Sequence, residues 1–426
     1  MNKPMEITGV EIRTERLIIR PFRESDLEDF YEYARVDGVG QMAGWAPHEN
    51  IEVSREILNH FIEGKKTFAL ELEGKVIGSL GVEKYNEYWF PQLSPYQGRA
   101  IGYVLSKDYW GRGLMPEAVK AVKEWLFENE QLDFVNVGHF DWNRQSARVI
   151  QKSGFRYMGT IPYETHVGTV ETDYEYICFH PKYEKPLIEL PKMGILCAAD
   201  DEAAPFLKQM QIEKETKKAR TTFWHGTLEG VQTVVSWCGV CKVNAAIATQ
   251  ILIDTYGCTH VINAGACGGM VKEAGILDTI VSEKTAHHDG APGILTDYHP
   301  FMESIWFPAD EKLLAAVQAA AESLPEHPVH FGRTVTGEAF IDDTNRSSIK
   351  GELAPLSVDM ETAAAAQVCH AFGIPFLGIR TVSDNPECSG SEAYHANCDK
   401  AGEIAAEVTI ETIREWKKQQ MPKRMS

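Results

Sequence analysis

Val358-Asp359-Met360-Glu361-Thr362, read together with Arg380-Thr381-Val382-Ser383-Asp384 further on, decides how the second half of this chain is built. The first acidic group follows Leu356-Ser357-Val358, and the second follows Ile374-Pro375-Phe376-Leu377-Gly378-Ile379. An unbroken apolar run of the second kind is what a central strand, covered on both faces, shows. Acids at the carboxyl ends of such strands face the crevice where open α/β sheets bind ligands. A local reading competes: Glu361 caps a helix over 363–370 and Asp384 opens a turn before Pro386, both ordinary roles for acids. The rest of the C-terminal half favours the crevice.

Outward from that stretch, Met193-Gly194-Ile195-Leu196-Cys197 predicts a strand ended by Asp200-Asp201-Glu202, the first turn of a helix, where the helix dipole alone would favour acids. Residues 231–237 predict a strand, followed by Gly239 and a helix from Lys242. Residues 260–269 read as a buried strand that breaks into a small-residue loop, Asn263-Ala264-Gly265-Ala266-Cys267-Gly268-Gly269, where a ligand can approach the backbone. Further strands are expected at 276–283 and 329–336. Strand and helix alternate, which predicts a parallel or mixed sheet with helices on both faces.

The first half has different punctuation. Residues 14–22 predict a strand, Ser25-Asp26 an N-cap for a helix through Tyr33, and 67–72 with 75–82 a hairpin around Glu73-Gly74. A strand at 100–105 runs into Tyr109-Trp110-Gly111-Arg112-Gly113-Leu114-Met115-Pro116. From Pro116 the apolar positions 118, 119, 122, 125 and 126 share one helical face. A strand, a two-glycine turn and a helix N-terminus present free N–H groups and a positive dipole end, which attracts a pyrophosphate or serves simply as a turn.

Pro181, Pro186 and Pro191 crowd the join between the halves, so residues 184–191 are expected to be a semi-rigid linker between domains at 1–183 and 192–426. The 426 residues, 44% hydrophobic and 24% charged, suffice for two real cores. A net charge of −19 argues against a nucleic-acid partner and for small-molecule or basic ones. Nine cysteines, an odd number, fit reduced cytoplasmic thiols, and the lone Cys238-Gly239-Val240-Cys241 lacks the second pair a zinc site needs. Residues 1–15 have no apolar core for a signal peptide, and no apolar run approaches the ~18 residues of a membrane span. The basic tail from Lys417-Lys418 to Lys423-Arg424 is expected to be a solvated end.

Residues 12–180 resemble the GNAT acetyltransferases, in the branch that acetylates ribosomal-protein N-termini. The likeness rests on 14–22, the Tyr109–Ala118 turn, and Asn143-Arg144-Gln145-Ser146 leading to Lys152-Ser153-Gly154-Phe155. It implies a mixed-sheet α+β fold in which Gly111, Arg112, Gly113, Leu114 and Met115 hold the pyrophosphate of acetyl-CoA, with Asn143 and Ser146 along the pantetheine arm. The family's general-acid tyrosine falls on Ile150, and Glu71 or Glu83 remains open as a base. The acceptor amine (a protein N-terminus, a polyamine or an amino sugar) is not readable.

Residues 193–415 resemble the nucleoside phosphorylase/hydrolase superfamily, and within it the 5'-methylthioadenosine/S-adenosylhomocysteine nucleosidases. The matching segments are 193–206, 239–246, 262–269, 335–341, 357–370 and 375–384. The resemblance implies a three-layer α/β fold and a catalytic pair, Glu202 activating water and Asp384 protonating the purine. It implies substrate contacts from Ala266, Cys267, Gly268, Phe340, Ile341, Asp359, Met360, Glu361, Arg380, Ser383 and Tyr394. Asp359 stands where a glutamate is usual, Ala266 where a serine is usual, and 291–307, which should border the 5' substituent, matches poorly. The family implies a homodimer and no cofactor for this half.

The chemistry asks for these residue types. Breaking an N-glycosidic bond needs a proton for the leaving base, and a carboxylate that takes one from water across the ring. The phosphorylase branch places an arginine where Asn263 stands, so water is the expected nucleophile. Another purine nucleoside (inosine, guanosine or a futalosine type) and a first half that only binds acyl-CoA remain open. His287-His288-Asp289 is not expected to hold a metal, because neighbouring side chains on a strand point apart. Cys369-His370 is expected to pack in a core.

Overall fold

The computed structural model of the protein describes residues 1–291, 293–298, 302–349 and 351–420. The chain divides into two units, Met1–Leu190 and Pro191–Gln419, each with its own sheet. Among the described residues no helix is long and apolar enough to cross a membrane.

In the first unit Ile12–Arg13 (β1), Ile18–Pro21 (β2), Thr67–Leu72 (β3), Lys75–Glu83 (β4), Gly98–Leu105 (β5), Phe134–Phe140 (β6), Arg156–Glu164 (β7) and Val170–Phe179 (β8) form one sheet in the order β1-β2-β3-β4-β5-β6-β8-β7. Only β5 and β6 are parallel, and they pair over 98–101 and 134–137 alone. Beyond Ile101 and Val137 the two strands no longer bond, and a cleft opens there. Four helices flank the sheet: Leu27–Ala34 (α1), Ile51–Gly64 (α2), Leu114–Glu128 (α3) and Arg144–Lys152 (α4). The hairpin turn has Glu73 and Gly74 at φ +52 and +83, the left-handed pair a two-residue loop of this twist requires.

Two expectations for this unit change. Ser25 and Asp26 lie inside a short 3-10 turn, and the Asp26 carboxylate does not cap α1; it is buried against the Arg20 guanidinium at 2.8 and 2.9 Å. Helix α3 starts at Leu114 rather than at Pro116, because the glycine turn already delivers helical geometry. In the linker, Leu187, Ile188 and Leu190 pack on the core cluster that contains Phe90 and Ile177.

The second unit holds Lys192–Cys197 (β9), Gln211–Lys218 (β10), Thr221–Leu228 (β11), Val231–Trp237 (β12), His260–Gly269 (β13), Thr279–His287 (β14), Phe307–Pro308 (β15), Val329–Thr336 (β16), Ser357–Asp359 (β17) and Phe376–Asp384 (β18). β13 bonds to β9, β17 and β18; β18 bonds to β14, β14 to β16, and β16 back to β17. The result is a closed ring of strands with a mixed wing, β10-β11-β12-β9, attached to β13. Helices Asp200–Gln209 (α5), Lys242–Gln250 (α6), Ile294–Asp297 (α7), Glu311–Ser323 (α8), Thr362–Phe372 (α9) and Ser391–Gln419 (α10) surround it, α6 packing on α9 and α10 on α5 and α8. Both units are α/β, with mixed sheets.

Here the sequence reading needs two corrections, at β13 and at Lys417. β13 does not break after Ile262: it stays a strand through Gly269, because β18 and then β17 supply ladder partners along the small-residue run. Asp384 is the last residue of β18, which removes the competing turn reading rather than the favoured one, and all nine residues of that strand are buried. Lys417 is not a solvated end; α10 buries it and its Nζ donates to the Glu229 carbonyl at 2.8 Å. Lys423 and Arg424 lie outside the described residues, as do parts of 291–307. Within that segment Met302 and Phe307 sit in the core between α6 and α9, where Cys369 also packs.

Trp416 anchors the end of α10 edge-on against His260 at 4.9 Å and is 1% exposed. Replacing a buried indole by a methyl leaves a cavity, so Trp416→Ala should lower the unfolding free energy by about 3–5 kcal/mol. Urea unfolding of the variant beside the parent chain measures it; a loss under about 1 kcal/mol would mean the site collapses onto the gap.

Candidate active site

At the carboxyl ends of β13, β17 and β18 the second unit has a cleft of about 280 Å³. Its floor is electrostatic. Arg380, on β18 and 0% exposed, directs Nη2 to Glu361 at 2.9 Å, Nε to Asp359 at 3.3 Å and Nη1 to Glu202 at 3.7 Å. One guanidinium thus faces three carboxylates. Burial pushes both Glu202 and Glu361 above the usual carboxylate range, with Arg380 opposing the shift in each case.

Each carboxylate has its own local cause. Glu202 is the third residue of α5 and reaches back to the N–H groups of Ala198 at 2.7 Å and Ala199 at 3.1 Å, while Ala266 N–H donates to its other oxygen at 2.7 Å. A Cβ at Gly265 would collide with both Glu202 carboxylate oxygens. The glycine run therefore admits a carboxylate of the chain itself. Glu361 occupies the N-cap position of α9 without capping it; its side chain takes the Cys241 N–H at 2.9 Å. Asp359 does that work instead, accepting from Thr362 N–H at 3.1 Å and Glu361 N–H at 3.2 Å. Cys241 holds φ +86 and ψ 159, a region otherwise left to glycine, so its N–H is delivered at the cost of local strain.

Asp384 stands apart from Arg380. It accepts from the Ser383 hydroxyl at 3.1 Å, its Oδ2 has no hydrogen-bond partner, and Arg346 lies 3.9 Å away. Burial raises its pKa to about 6, against the Ser383 hydrogen bond and the Arg346 charge. A carboxyl near neutrality with an unpaired oxygen can donate a proton; one fixed by three N–H groups beside a cation, as Glu202 is, can accept one.

All thirteen residues expected for this half line the cleft: Glu202, Ala266, Cys267, Gly268, Phe340, Ile341, Asp359, Met360, Glu361, Arg380, Ser383, Asp384 and Tyr394. Phe340 and Tyr394 form an edge-on aromatic pair, centroids 6.0 Å apart. Ser391 and His395 join Tyr394 from α10; their one-turn spacing is the signal that marks them in the sequence. Val240 and the Cys241 amide carry no such signal. Residues of 291–307 that are described do not line the cleft. In the triplet His287-His288-Asp289, His287 Nε2 bonds to Gln367 and Asp289 to Lys242, whereas His287 Nδ1 and His288 Nε2 have no hydrogen-bond partner among the described residues.

The first unit has a second cleft, about 340 Å³, where β5 and β6 part. Gly111 and Gly113 hold φ +75 and +77, and Gly113 is the N-cap of α3 with no side chain closing it. Gly111, Gly113, Leu114, Met115, Asn143 and Ser146 line the cleft; Arg112 does not, since its carbonyl accepts from Arg16 and its guanidinium lies 5.1 Å over the Tyr109 ring. Asn143 caps α4 by accepting the Ser146 N–H at 3.0 Å, and the Ser146 hydroxyl bonds to Tyr103 at 2.8 Å. Ile150 is fully buried. Glu71 is held by Arg20 at 2.7 Å, whereas Glu83 is exposed at the end of β4.

Residues 192–414 match the model of the phosphorylase superfamily, and residues 16–156 that of the acetyltransferase (GNAT) domain. A 5'-methylthioadenosine/S-adenosylhomocysteine nucleosidase of Shewanella halifaxensis is 35% identical over 229 residues, covering 53% of this chain and 99% of that protein. The nucleosidase of an Exiguobacterium species is 36% identical over 201 residues, covering 46% and 86%. The Neisseria meningitidis nucleosidase, solved with methylthio-immucillin-A, superimposes with a TM-score of 0.50 at 28% identity, covering 53% of this chain and 99% of that one.

Because Gly265 is constrained by one carboxylate, Gly265→Ala should cost about 1–3 kcal/mol in the parent chain. Much of that cost should vanish when Glu202 is also alanine, which a double-mutant cycle of thermal unfolding reads directly. Strictly additive costs would show that something other than Glu202 excludes the methyl.

Proposed function

Since the chain belongs to the phosphorylase superfamily through residues 192–414 and carries a GNAT acetyltransferase domain ahead of them, we propose that it is bifunctional. The second domain hydrolyses the N-glycosidic bond of 5'-methylthioadenosine or S-adenosylhomocysteine, releasing adenine. The first transfers an acetyl group from acetyl-CoA to an amine. Residues 184–191 are the linker in this reading, and the cytoplasm, a homodimer and a place in methionine salvage come with it on family likeness.

The observation that supports the hydrolase is the pairing of Glu202 and Asp384 across one cleft, the first held by three N–H groups beside Arg380 and the second with an unpaired oxygen. Asp384 delivers a proton to the purine, which discharges the electrons of the breaking bond. Glu202 takes a proton from water on the other face of the sugar, the division of labour of inverting glycosidases. Glu361, fixed by Arg380 and the Cys241 amide, orients the ribose hydroxyls. Water rather than phosphate is supported by the charge count: Arg380 is spent on three acids, and Asn263 is turned inward on Leu196 and Thr362. A phosphate dianion would meet net negative charge.

For the first domain, the open N-terminus of α3 and its glycines fit a pyrophosphate, and the gap between β5 and β6 fits an extended amide-bearing arm. When bound, acetyl-CoA supplies an activated thioester. Gly111, Gly113 and the first N–H groups of α3 hold its phosphates.

Methylthioadenosine should yield adenine without added phosphate. Asp384 works protonated, so kcat/KM should fall as pH rises through about 6, the value burial gives it. Glu202 works ionised, so activity should also fall as pH drops through its raised pKa, giving a bell. Asp384→Asn should reduce kcat by about 10²–10⁴-fold. Adenine release only with phosphate, or no alkaline fall, would refute the assignment. Separately, acetyl-CoA should bind the chain in calorimetry, and Gly113→Val, strained at φ +77, should abolish that binding while leaving adenine release intact.

A further inference from the structure

The first sheet carries a feature that the cofactor cleft does not use. Register places Glu83, Ala100, Asn136 and Ile177 in one row on one face of the sheet. One step along, Gly81 faces Gly102 and Gly138 faces Glu175, with Gly159 on the far side of Glu175. Four of these five positions lack side chains. Gly102 is exposed, and a Cβ there would meet nothing within 4 Å, so the trough is open where β5 and β6 part. The cofactor cleft reaches both faces of β5 at this point, with Tyr103 lining it from one face and Val104 from the other.

Asp173 and Glu175 point into the trough from β8. Asp173 fills the space over Gly138, where a methyl would come within 2.6 Å of its Oδ2. It is 6% exposed, yet its Oδ1 has no donor in the chain. Glu175, 7% exposed, has one partner, Asn136 Nδ2 at 2.8 Å. Buried carboxylates are normally satisfied by donors of the fold, and leaving one orphaned costs free energy unless a ligand brings the donors. Neighbouring groups give no compensation: Tyr163 from β7 feels the negative charges of Asp173, Glu175 and Glu83, and no cation lowers either carboxyl of the pair. Burial holds both carboxyls above their usual range, with Glu175 adding to Asp173.

We infer that this trough is the acceptor site of the first domain, binding a primary ammonium on Asp173 and Glu175, which then remove its proton. The inference rests on the acetyltransferase reading above. The ammonium offers the three N–H donors the pair lacks. One proton passes from nitrogen to the carboxylate pair. The freed lone pair forms the C–N bond to the thioester carbonyl carbon, the C–S bond breaks, and the departing sulfur takes the second nitrogen proton as a thiol. The carboxyl pair then returns its proton to solvent.

Calorimetric titration of the whole chain near pH 6.5, without acetyl-CoA, tests the site. The probes are Ala-Ala-Ala amide, spermidine and glucosamine, which separate a peptide N-terminus, a polyamine and an amino sugar as the source of the ammonium. At least one should bind, and its heat should change with the buffer's ionisation enthalpy because the cation expels up to about one proton from the pair. The double variant Asp173→Asn/Glu175→Gln should weaken that binding by at least about tenfold, and Gly102→Leu, which fills the trough, should do the same. The double variant should keep the acetyl-CoA affinity of the parent, which certifies the fold. No binding of any probe, heat independent of buffer, or unchanged affinity in the double variant would overturn the inference. Failure of acetyl-CoA itself to bind would instead sink the transferase reading, and the amine titration would still decide the ammonium site.

Discussion

The buried guanidinium of Arg380 is the constraint on which the second domain turns. A cation with no solvent exposure survives only if its charge is met at close range, and here three carboxylates meet it. Its planar fork can serve several acids at once from fixed directions, which a lysine could not do. The three acids come from α5, the end of β17 and the start of α9, so satisfying Arg380 pins those elements together at one end of the strand ring. The acids outnumber the cation, and the cluster resists a further anion while tolerating water.

Around that cluster the backbone is arranged for close approach. Glu202 lies where a side chain at position 265 would be, and Cys241 accepts an unfavourable φ to place its amide on Glu361. In the first domain the same device recurs with a different result. Glycines at 81, 102, 138 and 159 thin one face of the sheet, and Asp173 and Glu175 are buried there, the Asp173 Oδ1 without a donor. In both domains small residues make room for carboxylates, and burial then moves their proton affinity toward neutrality.

Much of the second site is readable because acids and glycines at strand ends have few other reasons to recur. The local capping rule, which the sequence reading set aside for Glu361, fails where two acids compete for one helix start. Glu361 sits at the N-cap position, yet Asp359 caps α9, since only the shorter side chain two residues earlier meets the Thr362 amide while Glu361 is drawn to Arg380. The small-residue run after Ile262 looks like a loop because glycine breaks isolated strands; β17 and β18 override that propensity by bonding along its whole length. Asp173 and Glu175 pass unnoticed in Thr172-Asp173-Tyr174-Glu175, where alternating acids read as the wet face of an edge strand.

The linear chain thus determined two units, their α/β character, and the acids and small residues that line the cleft of the second, because those properties are carried by local periodicity and residue chemistry. What only the folded structure decided is which groups share a charge: that Arg380 is buried and faces three acids, that Cys241 serves Glu361, and that Asp173 lacks a donor. Such facts depend on distances between residues far apart in sequence, and on how much water the fold removes from between them. Neither quantity is written in any local pattern.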